Sequence, residues 1–366
     1  MRKIFIALCL VTGLVLAHAA GRKFEPYRFN GQDYVPLTDW AGATGFSCRW
    51  LKRGETIEAT NHAARLVFEV DSHEVEINGV RVWLSFPFAV QKGVPLVAQF
   101  DLNTAIRPLL FPSRYVEPGK IATICLDPGH GGKDTGNHTF WHSEKKFTLL
   151  LAMELRDQLK KAGFNVVLTR SRDTFVELPD RAALANRRGA DLFVSLHFNA
   201  TETGRADVAG PETYCITPVG ASSSNARGEG NDSGPTPGNR NEQKSLLLAW
   251  QIQKSLVRNL AAEDRGVRRA RYAVLRDAAM PAILIEGGYM THPVEGRKIF
   301  DFAYRRQMAQ ALVKGILNYQ KLTAPPIPPT LPATNRPAAT NHPAEKIQPA
   351  TGSGTNKIIS TSSHTP

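Results

Sequence analysis

Ile124-Cys125-Leu126-Asp127-Pro128-Gly129-His130-Gly131-Gly132-Lys133-Asp134 breaks an apolar run with a Gly/Pro-rich turn that carries a histidine. The run reads as a buried parallel strand, and α/β sheets bind their ligands where the chain leaves the carboxyl ends of such strands. Two further polar residues have the same setting. His197 follows Leu192-Phe193-Val194-Ser195-Leu196, and Glu286 follows Ile283-Leu284-Ile285. Three strand ends delivering His, His and Glu point to a metal hydrolase.

Around these positions, residues 119–320 alternate apolar strands with helical periodicity, the pattern of a mostly parallel, twisted α/β sheet with helices on both faces. Strands are expected near 121–126, 164–169, 191–196, 212–217, 272–275 and 282–286. Helices are expected near 143–162, 178–189, 242–260 and 301–319. In the first helix Phe147, Leu150, Leu151, Leu155 and Leu159 recur at helical spacing, and Gly163 supplies the stop. Residues 24–115 read as a small β-rich α+β accessory domain. Its signals are alternating strands at 65–70 and 80–84, an Asn78-Gly79 hairpin turn, and a repeated Val-Pro-Leu at 35–37 and 94–96, each followed by a helical segment.

Both ends of the chain differ in character from this core. Arg2 and Lys3 precede the apolar run Ile4 to Leu16, and Ala17-His18-Ala19 matches a small-x-small cleavage signal, so residues 1–20 read as a secretory signal peptide. The run is short for a bilayer span, which needs about 20 apolar residues, so no stable membrane anchor is expected after cleavage. Residues 322–366, rich in Pro, Thr and Ala, carry too little apolar surface to offset ordering entropy and read as a disordered tail. Residues 220–241, rich in Gly, Ser and Asn, read as a mobile loop. The formal net charge of the 366 residues is +12. That charge suits nucleic acid, anionic membrane or an anionic wall polymer, and export to the periplasm or cell exterior argues against nucleic acid. Cleavage leaves Cys48, Cys125 and Cys215, an odd number; Cys125 and Cys215 sit in apolar strands and read as buried thiols.

Several ordered motifs accompany the opening stretch: Glu144-Lys145; Thr169-Arg170-Ser171-Arg172-Asp173; Leu178-Pro179-Asp180-Arg181 with Ala185-Asn186; Ser195-Leu196-His197-Phe198-Asn199-Ala200; and Glu286-Gly287-Gly288-Tyr289-Met290. Together they make this region similar to the zinc-dependent N-acetylmuramoyl-L-alanine amidases, which hydrolyse peptidoglycan. The accessory segment resembles the copper amine oxidase N-terminal-like domain, on the Val-Pro-Leu repeat, the Asn-Gly hairpin and Gly45-Phe46 with Trp50; no copper site is read in it.

The amidase resemblance implies zinc held by His130, Glu144 and His197, with Glu286 as the catalytic glutamate that moves a proton from water to the leaving amine. Catalytic zinc takes three protein ligands and keeps a fourth position open, and this donor set leaves the ion net positive. Alone, His197 equally suits a satisfied core histidine, and Glu144 a helix-start carboxylate stabilised by the macrodipole. His138 and His142 are rival ligands. Asp134 is expected either to orient His130 as a hydrogen-bond acceptor or to stabilise the turn. Asn199 and Glu212 are read as positions behind the ligands or beside the substrate, Glu212 with a structural alternative. Arg181 and Asn186 are expected to hold packing. His292 stands where the family often has asparagine.

The implied reaction is cleavage of the amide between N-acetylmuramic acid and L-alanine, with peptidoglycan as partner and other wall polymers accessible to the basic surface. The competing expectations are a zinc peptidase acting within the stem peptide and a catalytically silent peptidoglycan-binding protein. The polar loop at 220–241 carries no amphipathic helix of useful length, so a site open without an activator is expected.

Overall fold

A computed structural model describes residues 27–29, 31–116, 119–139, 141–201, 207–225 and 234–324. The expected signal peptide and nearly all of the expected tail lie outside the described residues, as does 226–233 of the polar loop.

The accessory segment is a meander with a small second sheet. Its strands are β1 (Tyr27–Phe29), β2 (Gln32–Pro36), β3 (Ser47–Lys52), β4 (Thr56–Thr60), β5 (Arg65–Glu69), β6 (Glu74–Ile77), β7 (Arg81–Trp83), β8 (Ala89–Gln91) and β9 (Val94–Ala98), with helix α1 (Leu37–Thr44) after β2. Both Val-Pro-Leu motifs run into helix: the first into α1, the second through Gln99–Asp101 and Leu102–Ile106 to Arg107–Leu110. The β6–β7 hairpin turns on Asn78 and Gly79, both at positive φ (52° and 78°), as a two-residue type I′ connection requires.

The following region supplies β10 (Thr123–Pro128), β11 (His138–Thr139), β12 (His142–Ser143), α2 (Glu144–Lys161), β13 (Asn165–Leu168), α3 (Leu178–Arg187), β14 (Leu192–Asn199), β15 (Glu212–Ile216), α4 (Glu242–Leu260), β16 (Val267–Ala270), α5 (Ala273–Arg276), β17 (Ala282–Tyr289), α6 (Glu295–Phe300) and α7 (Phe302–Thr323). β13, β10, β14 and β17 run parallel. β15 is antiparallel to β17, and β16 is parallel to β15. The sheet does not end there. β16 pairs with β7 through Val267 and Val82, giving one 11-stranded sheet ordered β13-β10-β14-β17-β15-β16-β7-β6-β5-β4-β3.

The sheet alternates its faces strictly. Ile124, Leu126, Val194, Leu196, Ile283 and Ile285 join a core with α2, α4 and α7, and that core continues into Trp40, Phe68 and Val82 of the accessory segment. Cys125, Phe193, Ala282 and Leu284 face the other way, against α3 and α5. In α2, Phe147, Leu151, Leu155 and Leu159 are buried at i, i+4 spacing, but Leu150 is 40% exposed. It lies one position before Leu151, about 100° around the helix and off the stripe. The strand expected near 272–275 is instead α5, and the strand lies earlier, at Val267–Ala270. Arg268 and Arg269 hide that strand from a hydrophobic reading. Their polarity is accommodated because Arg268 pairs with Glu74 at 3.2 Å and Arg269 donates to Thr104 O at 2.8 Å.

Candidate metal centre

The turn after β10 is braced from beneath by buried charge. Asp127 is fully buried and accepts from Thr169 Oγ1 (2.6 Å), Arg181 Nη1 (2.8 Å) and Ser195 Oγ (2.8 Å). Arg181 also donates to Pro128 O and His130 O, and Arg170 donates to Pro128 O, Gly129 O and Lys145 O. The expected packing role of Arg181 therefore acts on the turn that presents His130. Asn186 ties α3 to the turn at Asp277 and Ala279. Within the turn His130 adopts φ 60°, a conformation costly for a side-chain-bearing residue and sustained only by such surroundings.

His197 reaches the same place from β14. Strand alternation puts it on the face of Ser195, and its register partner across β17 is Glu286. Glu144 is the first residue of α2, where the helix N-terminus favours a carboxylate. It is almost completely buried and accepts Phe198 N–H on Oε1 (3.0 Å) and Asn137 N–H on Oε2 (2.9 Å).

These elements bring His130, Glu144 and His197 together, with one donor atom from each lying within 4.8 Å of the others. His130 Nε2 is 3.0 Å from Glu144 Oε2, His197 Nδ1 is 3.0 Å from Glu144 Oε1, and the two imidazole nitrogens are 3.2 Å apart. Asp134 Oδ2 lies 2.9 Å from His130 Nδ1. That contact assigns the proton to Nδ1 and leaves the Nε2 lone pair for the cluster. His138 and His142 are not in the cluster: His138 is exposed on β11, and the His142 ring packs on Phe300 at 4.0 Å.

The donor set fits a divalent cation. Two imidazole nitrogens and a carboxylate facing one another need positive charge between them, and this is the ligand chemistry of a catalytic zinc. The backbone makes room for it. A methyl group at Gly129 would lie 2.3 Å from His197 Cε1, and one at Gly136 would lie 2.6 Å from Glu144 Oε2. Burial works against ionisation of Glu144, but the two histidines outweigh it and hold the carboxyl well below the usual range. Burial likewise disfavours charge on His130, and the Glu144 and Asp134 carboxylates more than reverse this and raise its pKa.

Glu286 keeps some solvent contact, yet its Oε2 is buried without a hydrogen-bond partner. Burial first, then the charges of Glu144 and Glu212, push its carboxyl well above the ordinary range. A raised carboxyl pKa is what a group that both takes and returns a proton requires. Glu212 is the register partner of Glu286 on β15. It accepts from Asn199 Nδ2 (2.7 Å) and Tyr214 OH (3.2 Å), and its Oε2 lies 3.5 Å from Arg268 Nε. Asn199 and Glu212 thus form one network beside Glu286.

Three contributors were not legible in the sequence. Asp127 was hidden as one residue of a motif; a lone carboxylate inside an apolar strand was its only signal. Arg170 reads as one cation among several after β13. Glu295 is buried and accepts Tyr289 N–H (2.6 Å) and Gly210 N–H (3.0 Å), bracing the end of β17 beyond Glu286. His292 acts locally, its Nδ1 accepting Glu295 N–H at 3.0 Å at the start of α6.

Residues 124–318 match the family model described as N-acetylmuramoyl-L-alanine amidase, and residues 19–105 match the copper amine oxidase N-terminal domain. The chain is 34% identical over 223 residues to the N-acetylmuramoyl-L-alanine amidase AmiC of Neisseria meningitidis, covering 55% of this chain and 53% of that protein. It is 31% identical to AmiA of Escherichia coli, covering 55% and 77% respectively. The chain thus spans about half the length of the meningococcal relative. The solved N-acetylmuramoyl-L-alanine amidase of Clostridium difficile 630 is 34% identical, with a TM-score of 0.46 over 56% of this chain and 98% of that one.

Proposed function

This chain belongs to the N-acetylmuramoyl-L-alanine amidase family, and from that premise we propose that it is an exported, zinc-dependent enzyme cleaving the bond between N-acetylmuramic acid and the L-alanine of the stem peptide. Hydrolysis of a cell-wall amide follows from the family. The choice of zinc, the roles of individual residues and the location are our reading. The convergence of His130, Glu144 and His197, with Glu286 as the cross-strand neighbour of His197, is the observation that carries it.

His130, Glu144 and His197 would hold the ion. When bound, zinc supplies Lewis acidity, polarising an amide carbonyl and acidifying water. Asp134 keeps His130 in the right tautomer. Glu286 takes a proton from the attacking water and delivers it to the amide nitrogen as the C–N bond breaks, so that the amine leaves neutral. The raised pKa of Glu286 supports the second half of that cycle, and a cation held by the His–Glu–His cluster would favour its ionised form for the first. The Asn199–Glu212 pair steadies the wall beside it. Peptidoglycan is the substrate, and the basic surface suits additional wall polymers.

Export rests on residues 1–20, which lie outside the described residues. No helix among the described residues is long and apolar enough to cross a membrane. We further read the site as open without an activator.

The test is digestion of peptidoglycan by residues 20–324 with products read by mass spectrometry. Intact stem peptides with a free L-alanine amino terminus, lost on chelation and restored by zinc, support the amidase. Peptides cut internally would establish the stem peptidase instead. Binding without any product would favour a silent wall-binding protein, and release only on adding a second protein would overturn the open-site reading.

A further inference from the structure

Trp141 is 91% exposed, the most exposed large apolar side chain among the described residues. It lies at the tip of the β11–β12 hairpin, between Thr139 and its partner His142. Tips of surface hairpins are normally polar, and an indole offers a flat apolar face together with an N–H donor.

The described residues on either side of this tip are anchored. Asn137, just before β11, donates its N–H to Glu144 Oε2 (2.9 Å) and its side-chain amide to Phe198 O (3.0 Å). It also accepts Glu144 N–H at 2.8 Å. On the outgoing strand the His142 ring packs against Phe300 and Phe147. The same short segment therefore holds a cluster carboxylate at its base and displays an indole at its tip, three residues before Glu144. Three residues of chain reach about 11 Å at most, so the tip stays within that backbone distance of the cluster carboxylate.

We propose that Trp141 is a glycan-binding residue, stacking on a pyranose ring of the peptidoglycan strand beside the muramoyl unit that carries the scissile amide. This rests on the amidase reading. In that substrate the side of the amide away from the peptide is a chain of pyranose rings. Their axial C–H bonds make a flat apolar face that fits an indole, and the indole N–H can donate to a hydroxyl or acetamido oxygen. Stacking on a rigid stalk loses little conformational entropy on binding, the property that makes tryptophan dominate small contact patches. The stem peptide, flexible and anionic, offers no comparable flat face.

The test uses Glu286→Gln protein, with and without Trp141→Ala or Trp141→Phe. The probes are peptide-free glycan strands, free stem tripeptide and vesicles of phosphatidylglycerol. Trp141→Ala is expected to weaken glycan binding by about tenfold while tripeptide affinity stays the same. Trp141→Phe should recover most of the loss, and glycan should quench the indole emission only where Trp141 is present. Unchanged thermal unfolding of the variants keeps a folding defect from imitating the result. Equal glycan affinity with and without the indole would overturn the proposal, as would a loss confined to the tripeptide or to the vesicles. The amidase reading is judged separately, by release of stem peptides from the wild type. It can stand when Trp141 proves idle.

Discussion

Glu286 and Asp134 make separable demands on the same centre. Glu286 is absent from the His–Glu–His cluster, so Glu286→Gln should lower kcat by about 10²- to 10⁴-fold while zinc content, measured by elemental analysis, stays that of the wild type. Loss of zinc along with activity would make Glu286 a ligand and refute the assignment. Asp134 touches the opposite edge of His130 from the cluster, through Nδ1 at 2.9 Å. Asp134→Asn should weaken zinc binding by about 10- to 100-fold, measured by competition with a chelating dye, and extra zinc should restore activity. A variant that binds zinc normally would reduce Asp134 to a turn residue. His130 and His197 were visible at this scale because each ends an apolar run. Glu144 was not separable from an ordinary helix-start carboxylate until Phe198 N–H and Asn137 N–H were seen aiming it inward.

Among the elements, the β10 strand with its turn rests on a buried ion pair. The Asp127–Arg181 pair joins it to α3 at 2.8 Å with both side chains almost completely buried. Removing one partner strands a charge in the interior. Arg181→Met should therefore destabilise the fold by about 3–5 kcal/mol, read from urea unfolding, and the double variant Asp127→Asn/Arg181→Met should recover much of that loss. A double variant no better than the single would show that the pair's value lies in its bonds to Pro128 O and His130 O. Most elements were legible from periodicity alone: α2 and α4 fall within two residues of expectation because their buried stripes are long. β16 was missed because four residues with two central arginines carry no stripe, and Tyr272-Ala273-Val274-Leu275 mimics a strand while forming the α5 turn.

Across the whole molecule, the accessory segment and the site-bearing region share one sheet through β7 and β16 and one continuous core. The protein spanning residues 24–324 should unfold in a single calorimetric transition, and residues 119–324 alone, with β16 unpaired along one edge, should be less soluble. Two well-separated transitions would contradict this. The junction also contains a titrating carboxylate. Asp101 is almost completely buried and accepts Ser85 N–H and Phe86 N–H, and burial raises its pKa to about 6. The native state therefore holds the proton more tightly than the unfolded chain. Its contribution is complete below the unfolded value near 3.8 and is lost as pH rises through about 6. Relative to Asp101→Asn, the wild type should gain about 2 kcal/mol between pH 7 and pH 4, measured by paired unfolding curves. Parallel pH profiles would exclude that linkage.

What the sequence determined by itself was local: apolar runs that must be buried, helical stripes, the Asn-Gly turn, and polar residues at the ends of strands. Those signals need no partner, since burial and backbone geometry act within a few residues. The tertiary structure alone decided which distant groups meet. It set the 3.2 Å approach of His130 and His197, the register that puts Glu212 and Glu286 opposite each other, and the junction of two sequence blocks in one sheet. Such pairings depend on strand order and register, and a sheet can accept many orders with the same hydrophobic pattern. The order realised is the one that satisfies Asp127, Glu144 and Glu212 in a single folded arrangement.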